Sequence, residues 1–267
     1  MSALLPATKL NEVFALFGVP GLKDLKPFGS TGKIKASYKK AMLDLIPKEP
    51  IDAHTGLGAI YVYENNFDLA LNEFKKAYEK SGFGLFESYH YANSLFIYGD
   101  QEEAVNIYLN LVKEHPNDKN VFNDAVKRFT DYCYVGHLNA ALESSYCSKK
   151  LTEENNADIK DMYDVILMLN QFGVSTEYFR SLKNLMARAF YQFFTLPSEY
   201  EIFTNYDEIR QTFTLRLNID SKLLEDPFEF ISDINDYLQD QLIDFYKERN
   251  VKVGSNEDKI ISYFGLQ

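Results

Sequence analysis

Residues 51–82, IDAHTGLGAIYVYENNFDLALNEFKKAYEKSG, align without a gap with residues 85–116, LFESYHYANSLFIYGDQEEAVNIYLNLVKEHP, at an offset of 34. Asn65 falls on Gly99, Asn66 on Asp100, Ala70 on Ala104, Phe74 on Tyr108 and Ala77 on Leu111. Self-similarity at such a period marks stacked supersecondary units. Each unit reads as a helix, a tight polar turn and a second helix, the turns being Glu64–Phe67 and Tyr98–Gln101. Ala70 and Ala104 mark where two helices cross too closely for a larger side chain. The aromatic four positions on, Phe74 or Tyr108, lies one turn along the same face and fills the gap between helices. Gly136 and Ala141 repeat the spacing of Gly99 and Ala104, but Gly136 lies 37 residues after Gly99. That predicts a third, irregular unit with a three-residue insertion in or before its first helix.

Working outward, Leu57, Gly58, Tyr61, Phe67, Ala70, Phe74 and Ala77 of the first unit, with Gly99, Ala104, Tyr108 and Pro116 of the second, carry a family pattern. The chain resembles the tetratricopeptide (TPR) proteins over about residues 51–150. The consensus positions of such repeats hold helices together, and binding falls to the variable residues of the concave face. By the resemblance, that face consists of Thr55, Ala59, Val62, Tyr63, Tyr89, Asn93, Phe96 and Ile97. It holds no Lys or Arg. Family members that grip the C-terminal carboxylates of heat-shock chaperones use Lys, Asn and Arg there. Thr55 and Ala59 occupy the first repeat's clamp positions here, and only Asn93 is compatible. The resemblance therefore implies an apolar or aromatic-bearing peptide or helix as the occupant.

The flanks read differently. Residues 1–50 form a helical N-terminal extension, with helices at 9–18 and 33–46, the second stopped by Pro47. Gly29–Lys33 departs from a phosphate loop, because Pro27 stands where its leading Gly belongs and Ile34 replaces the magnesium-binding Ser/Thr. A slight similarity of this region to J-domains fails at Leu45–Pro47, where His-Pro-Asp is required. Beyond the repeats, Ala157–Phe172 and Thr176–Phe194 read as amphipathic helices. Ile209–Ile219 alternates apolar and polar as a half-buried strand does. Ser198–Thr204 is its expected hairpin partner, across a turn at Asn205–Asp207. Asp226 and Pro227 then open a helix running to about Arg249, and Val251–Val253 is expected to add a short strand. The fold class is mainly α, a TPR-like helical repeat array with a smaller C-terminal α+β module. The domains are an extension (1–50), the repeats (51–172) and the module of helix, β-hairpin and helix (173–267).

Composition narrows function. The 267 residues carry a net charge of −11, distributed as +4 over residues 1–50, −5 over 51–150 and −10 over 151–267. An acidic chain lacks the excess cations that general nucleic-acid binding needs. No apolar run reaches a membrane span, and Met1–Lys9 has neither the basic nor the apolar region of a signal peptide. Two cysteines, Cys133 and Cys147, both in segments that read as helical, are no disulfide framework. These features predict a cytoplasmic protein without a membrane partner. Cys133 and His137 lie four apart without further ligand spacing, and read as a core thiol and a surface imidazole. The carboxylates Glu229, Asp233, Asp236, Asp240 and Asp244 read as one solvated helix face, not a metal site. Arg210 and Arg216 could meet an anion, but pairing with Glu199 or Glu201 across the hairpin, or plain solvent exposure, is the simpler expectation. No catalytic or cofactor motif is present. The expectation is a non-enzymatic interaction protein, adaptor, scaffold or chaperone-like, holding a partner peptide without cofactor. The alternative is an enzyme or ligand-responsive regulator with its site in the C-terminal module and the repeats as docking arm. An eleven-residue strand covered by three residues leaves an edge, which predicts a homodimer through the module.

Overall fold

A computed structural model describes residues 32–144, 156–194, 202–207, 212–221, 224 and 226–267. Among the described residues are ten α-helices and three strands. They are α1 (Gly32–Leu45), α2 (Pro50–Tyr63), α3 (Phe67–Lys80), α4 (Leu85–Tyr98), α5 (Gln101–Glu114), α6 (Lys119–Asp131), α7 (Val135–Ser144), α8 (Asn156–Phe172) and α9 (Thr176–Phe193). After these come β1 (Ile202–Asp207), β2 (Thr212–Ile219), α10 (Pro227–Glu248) and β3 (Ile260–Leu266). The protein is mainly α, a helical array followed by a small α+β module. Two compact units divide it, one of Met1–Gln101 with Tyr191–Glu199, the other of Glu102–Phe190 with Tyr200–Gln267. The expected helix at 9–18 and the loop after it lie outside the described residues.

In the first unit α1, α2, α3 and α4 pack neighbour to neighbour, with α2 against α3 the most extensive contact. Gly58 explains how closely that pair approaches. A Cβ built on it would stand 2.7 Å from the Phe74 ring, so the ring rests on bare backbone. Ala70, Phe74, Ala77 and Leu57 are buried around this contact. The turn between the helices is closed by Asn65 in the left-handed region, φ 58°. Its N–H donates to the Val62 carbonyl (3.0 Å) and that of Asn66 to Tyr61 (2.9 Å). This is the Schellman arrangement, whose left-handed position is usually Gly and sometimes Asn.

The second unit contains the third helical hairpin, α6 with α7, and its register differs from the expected one. The second helices of the three hairpins begin at Phe67, Gln101 and Val135, a constant step of 34. There is no insertion between Gln101 and Val135. Gly136 sits inside α7, and the turn position equivalent to Asn65 and Gly99 is Cys133, with φ 56°. Cys133 N–H donates to Thr130 O (3.2 Å) and Tyr134 N–H to Phe129 O (2.7 Å), the same Schellman pattern. Cys133 thus lies in a turn, not a helix. The glycine and alanine of this hairpin have drifted by three while the helix ends kept their places. Lys183 of α9, itself buried, donates to the Asp131 carbonyl at 2.6 Å and so caps α6. Cationic donors at a helix C-terminus meet unpaired carbonyls and the negative end of the dipole.

The module holds a three-stranded sheet in the order β1-β2-β3. β1 pairs antiparallel with β2, Ile202 opposite Leu217 and Asp207 opposite Thr212. Asn205–Asp207 is therefore strand rather than turn, because pairing with Thr212–Thr214 continues the ladder past residues whose composition reads as a turn. Residues 195–201 and 208–211, including Glu199, Glu201 and Arg210, lie outside the described residues. β3 runs parallel to β2, from Phe213 opposite Ile260 to Ile219 opposite Leu266, with α10 as the crossover. Val251–Val253 forms no strand. β2 is central, flanked on both sides, so the uncovered β2 edge on which the expected dimer depended does not exist. Phe213, Leu215, Leu217 and Ile219 are buried on one face, as their alternation requires, with Ile234, Leu238 and Leu242 of α10 in the same core. Asp226 caps α10 by accepting the Glu229 N–H, with Pro227 next in place.

Replacing Gly58 by Ala should expose the Phe74 contact directly. Overpacking costs about 1–3 kcal/mol, against a helix-propensity gain of about 1 kcal/mol. A net loss of stability is expected in urea unfolding, and a net gain when Phe74→Leu has first vacated the space. Equal effects in both backgrounds would show that the ring does not set the spacing.

Candidate functional site

The eight residues expected to line a groove fall on α2 (Thr55, Ala59, Val62, Tyr63) and α4 (Tyr89, Asn93, Phe96, Ile97). Five of them, Thr55, Ala59, Val62, Phe96 and Ile97, are buried, at 7 % exposure or less. Tyr63, Tyr89 and Asn93 are half-buried. On α2, Ala53 to Ile60 form a run of eight consecutive buried residues, more than two helical turns. Every side of that stretch is covered, as for a helix that is apolar all round. Part of the first unit comes from far along the chain. The last turn of α9, from Tyr191, belongs to it, and Asn65 Nδ2 donates to the Gln192 carbonyl at 3.2 Å. Phe194, next to that turn, is 1 % exposed. Nothing local in sequence signals this return.

Polar chemistry in the unit centres on two histidines. His54, at a core position of α2, meets Glu73 of α3 through Nδ1 and Oε2 at 2.6 Å, and Lys76 Nζ reaches the other carboxylate oxygen at 2.6 Å. Both His54 and Glu73 are buried. A pair nineteen residues apart leaves no mark in one sequence, although both positions could be placed on facing helices. His90 stacks parallel to Phe74 with centroids 5.8 Å apart, and meets Phe86 edge-on at 4.3 Å. Burial pushes its pKa down to about 4. It is a neutral aromatic here.

Comparison with protein-family models, with curated proteins and with solved structures returns no match. The functional reading of this chain therefore rests on its own residues.

The other candidates from the sequence take these places. Cys133 is buried and its thiol is pushed up to about 11, mainly by that burial. His137 packs between Phe129 and Tyr134, at 5.7 and 5.5 Å, and its pKa is lowered by burial. Cys147 lies outside the described residues. Glu229, Asp233, Asp236, Asp240 and Asp244 are all exposed along α10. Among the described residues no three His, Cys, Asp or Glu side chains are placed to hold a metal ion. No described helix is long and apolar enough to cross a membrane. Arg216 has Phe203 and Tyr263 as its direct cross-strand neighbours.

The His90 environment predicts a pH dependence. Unfolded, the imidazole takes up a proton near pH 6.5; folded, it resists until about 4. The unfolded state binds more protons in that window, so stability falls as pH drops through it. Between pH 7 and pH 5 the loss is about 2 kcal/mol. Urea midpoints at the two pH values should show it, and His90→Phe should remove that part of the slope. An unchanged slope in the variant would assign the dependence to other groups.

Proposed function

We propose that the protein is a non-enzymatic, tetratricopeptide-like interaction protein whose helical array holds a peptide or helix of a protein partner. The observation that carries this reading is the constant step of 34 between the second helices of three successive hairpins. Two further features support it. Phe74 lies on Gly58, and both are positions of the family pattern; the turn positions Asn65, Gly99 and Cys133 recur at the same step. Repeats of this kind carry variable side chains on a shared scaffold, so binding is the function the architecture favours.

The accessible part of the proposed face is Tyr63, Tyr89 and Asn93. Tyrosines offer large contact area and suit a partner side chain that is apolar or aromatic; the Tyr89 hydroxyl itself is enclosed, so its ring is the part on offer. The buried members, Thr55, Ala59, Val62, Phe96 and Ile97, support the helices from beneath. Truncating Phe96 would cost about 3–5 kcal/mol of stability and report on folding rather than contact.

The test is affinity capture with the full chain, wild type against Tyr63→Ser/Tyr89→Ser/Asn93→Ala. A partner retained by the wild type should be lost or weakened at least tenfold, about 1.4 kcal/mol, while thermal unfolding of the variant stays within a few degrees. Undiminished capture by the variant would move the binding surface elsewhere.

A further inference from the structure

We propose that the outer face of the three-stranded sheet is a second binding surface, one that takes the carboxylate of an Asp or Glu in an extended, apolar-flanked peptide segment. This surface lies in the second unit and is independent of the helical face.

Alternation along the strands divides the sheet. Phe213, Leu215, Leu217 and Ile219 turn to the core, so Thr214, Arg216 and Asn218 lie on the other side. The register sets Phe203, Arg216 and Tyr263 in one row across the three strands, with Asn205, Thr214 and Ile261 in the next. Phe203 is 45 % exposed and Ile261 48 %. Two accessible apolar side chains thus flank the Arg216 cation.

That cation is held in place. A Cβ on Gly265 would stand 2.6 Å from Arg216 Nε, so the guanidinium occupies the space left by the missing side chain. Its Nη2 donates to the Leu266 carbonyl at 3.1 Å, and its carbon lies 5.9 Å from the Tyr263 ring centre. Among the described residues Nε is enclosed without a hydrogen-bond partner, and so is Oδ1 of Asn218 on the same face. A guanidinium carries five N–H donors in a planar fork, and here one carbonyl engages it. Among the described residues no carboxylate pairs with Arg216.

Charge complementarity decides the occupant. In a region of net charge −10, over residues 151–267, an arginine on an apolar face with no acidic mate among the described residues is the unusual feature. Arginine matches carboxylate geometry, and such charge-assisted bonds are about twice as strong as neutral ones. One carboxylate meets one fixed arginine, while its neighbours in the peptide rest on Phe203 and Ile261. A phosphate backbone would need several cations and would be repelled by the surrounding acids.

Fluorescence anisotropy with the full chain tests this, using blocked, labelled peptides Phe-Ser-Asp-Ser-Ile and Phe-Ser-Asn-Ser-Ile and a labelled 20-mer of thymidylate. The Asp peptide should bind about tenfold tighter than the Asn peptide. Arg216→Gln should bring that ratio to one, whereas Phe203→Ser, at a half-exposed position, should weaken both peptides and leave the ratio standing. If Arg216→Gln fails to fold, Gly265→Ala takes its place, because the added methyl lifts the guanidinium off the sheet. Equal binding of the two peptides, a ratio that survives both Arg216→Gln and Gly265→Ala, or no loss of affinity with Phe203→Ser would overturn the proposal. Preference for the oligonucleotide would overturn it too, in favour of a nucleic-acid strand.

Discussion

The distance between α2 and α3 is set by an aromatic ring lying on a glycine, Phe74 on Gly58, and much of the first unit depends on it. Close approach lets a fourteen-residue helix be buried on every side over more than two turns. Burial on that scale is the main favourable term in folding, at about 25 cal/mol per Å² of apolar surface. It also removes the option of exposing α2 as a wide groove. The part of the α2 and α4 face still within reach of solvent is a narrow set, portions of Tyr63, Tyr89 and Asn93. A packed scaffold with a few part-exposed side chains at its rim is compatible with the proposed binding role, since such a surface could engage a partner without remodelling.

Besides the β2–β3 ladder, elements distant in sequence are tied by single polar side chains. Asn235 of α10 donates to the Phe264 carbonyl at 3.0 Å and accepts its N–H at 2.8 Å, so one amide satisfies both backbone groups of a β3 residue. In a parallel ladder those two groups point to the same side, and since Asn235 takes both, they face away from β2. Lys183 caps α6 in a comparable way. His54 and Glu73 join α2 to α3 inside the core. Each of these groups is costly to bury alone and inexpensive once matched, so each favours one arrangement of helices over near alternatives. For His54 and Glu73 such a role in specificity is a hypothesis, since ion pairs in cores add little net stability.

How much can be read in the sequence depends on whether the information is local. Helix ends, the first two hairpins, the cap at Asp226 and the inward alternation of β2 all follow from residues within a few positions of each other. The third hairpin is misregistered from sequence because Gly136 and Ala141 look like the turn glycine and crossing alanine of the earlier units. The true markers are Cys133, a residue seldom used in the left-handed region, and Leu138, a bulkier occupant of the crossing position. β3 escapes notice although Ile260–Leu266 is an apolar run, because a parallel strand has no hairpin turn to announce it and its partner lies some forty residues earlier. The burial of Thr55, Ala59 and Val62 is likewise not written in the repeat pattern. Part of the first unit is supplied by residues beyond 190, and no repeat pattern contains that information.

The place of β3 also decides what the sheet can offer. A two-stranded ribbon would have left β2 with an open edge and its arginine beside whatever acidic residue lay near. With β3 added in parallel, the edge is closed by backbone pairing and the outer face gains Ile261, Tyr263 and Gly265. Glycine at that register is what admits the guanidinium against the strand, and the Leu266 carbonyl then fixes its direction. Arg216 therefore owes its position to the pairing of β3, a long-range contact made through the α10 crossover. Its orientation depends on the completed module and not on β2 alone. A cation carried by one strand and held by its neighbour, with apolar side chains on either side, has the rigidity that the proposed binding surface would require.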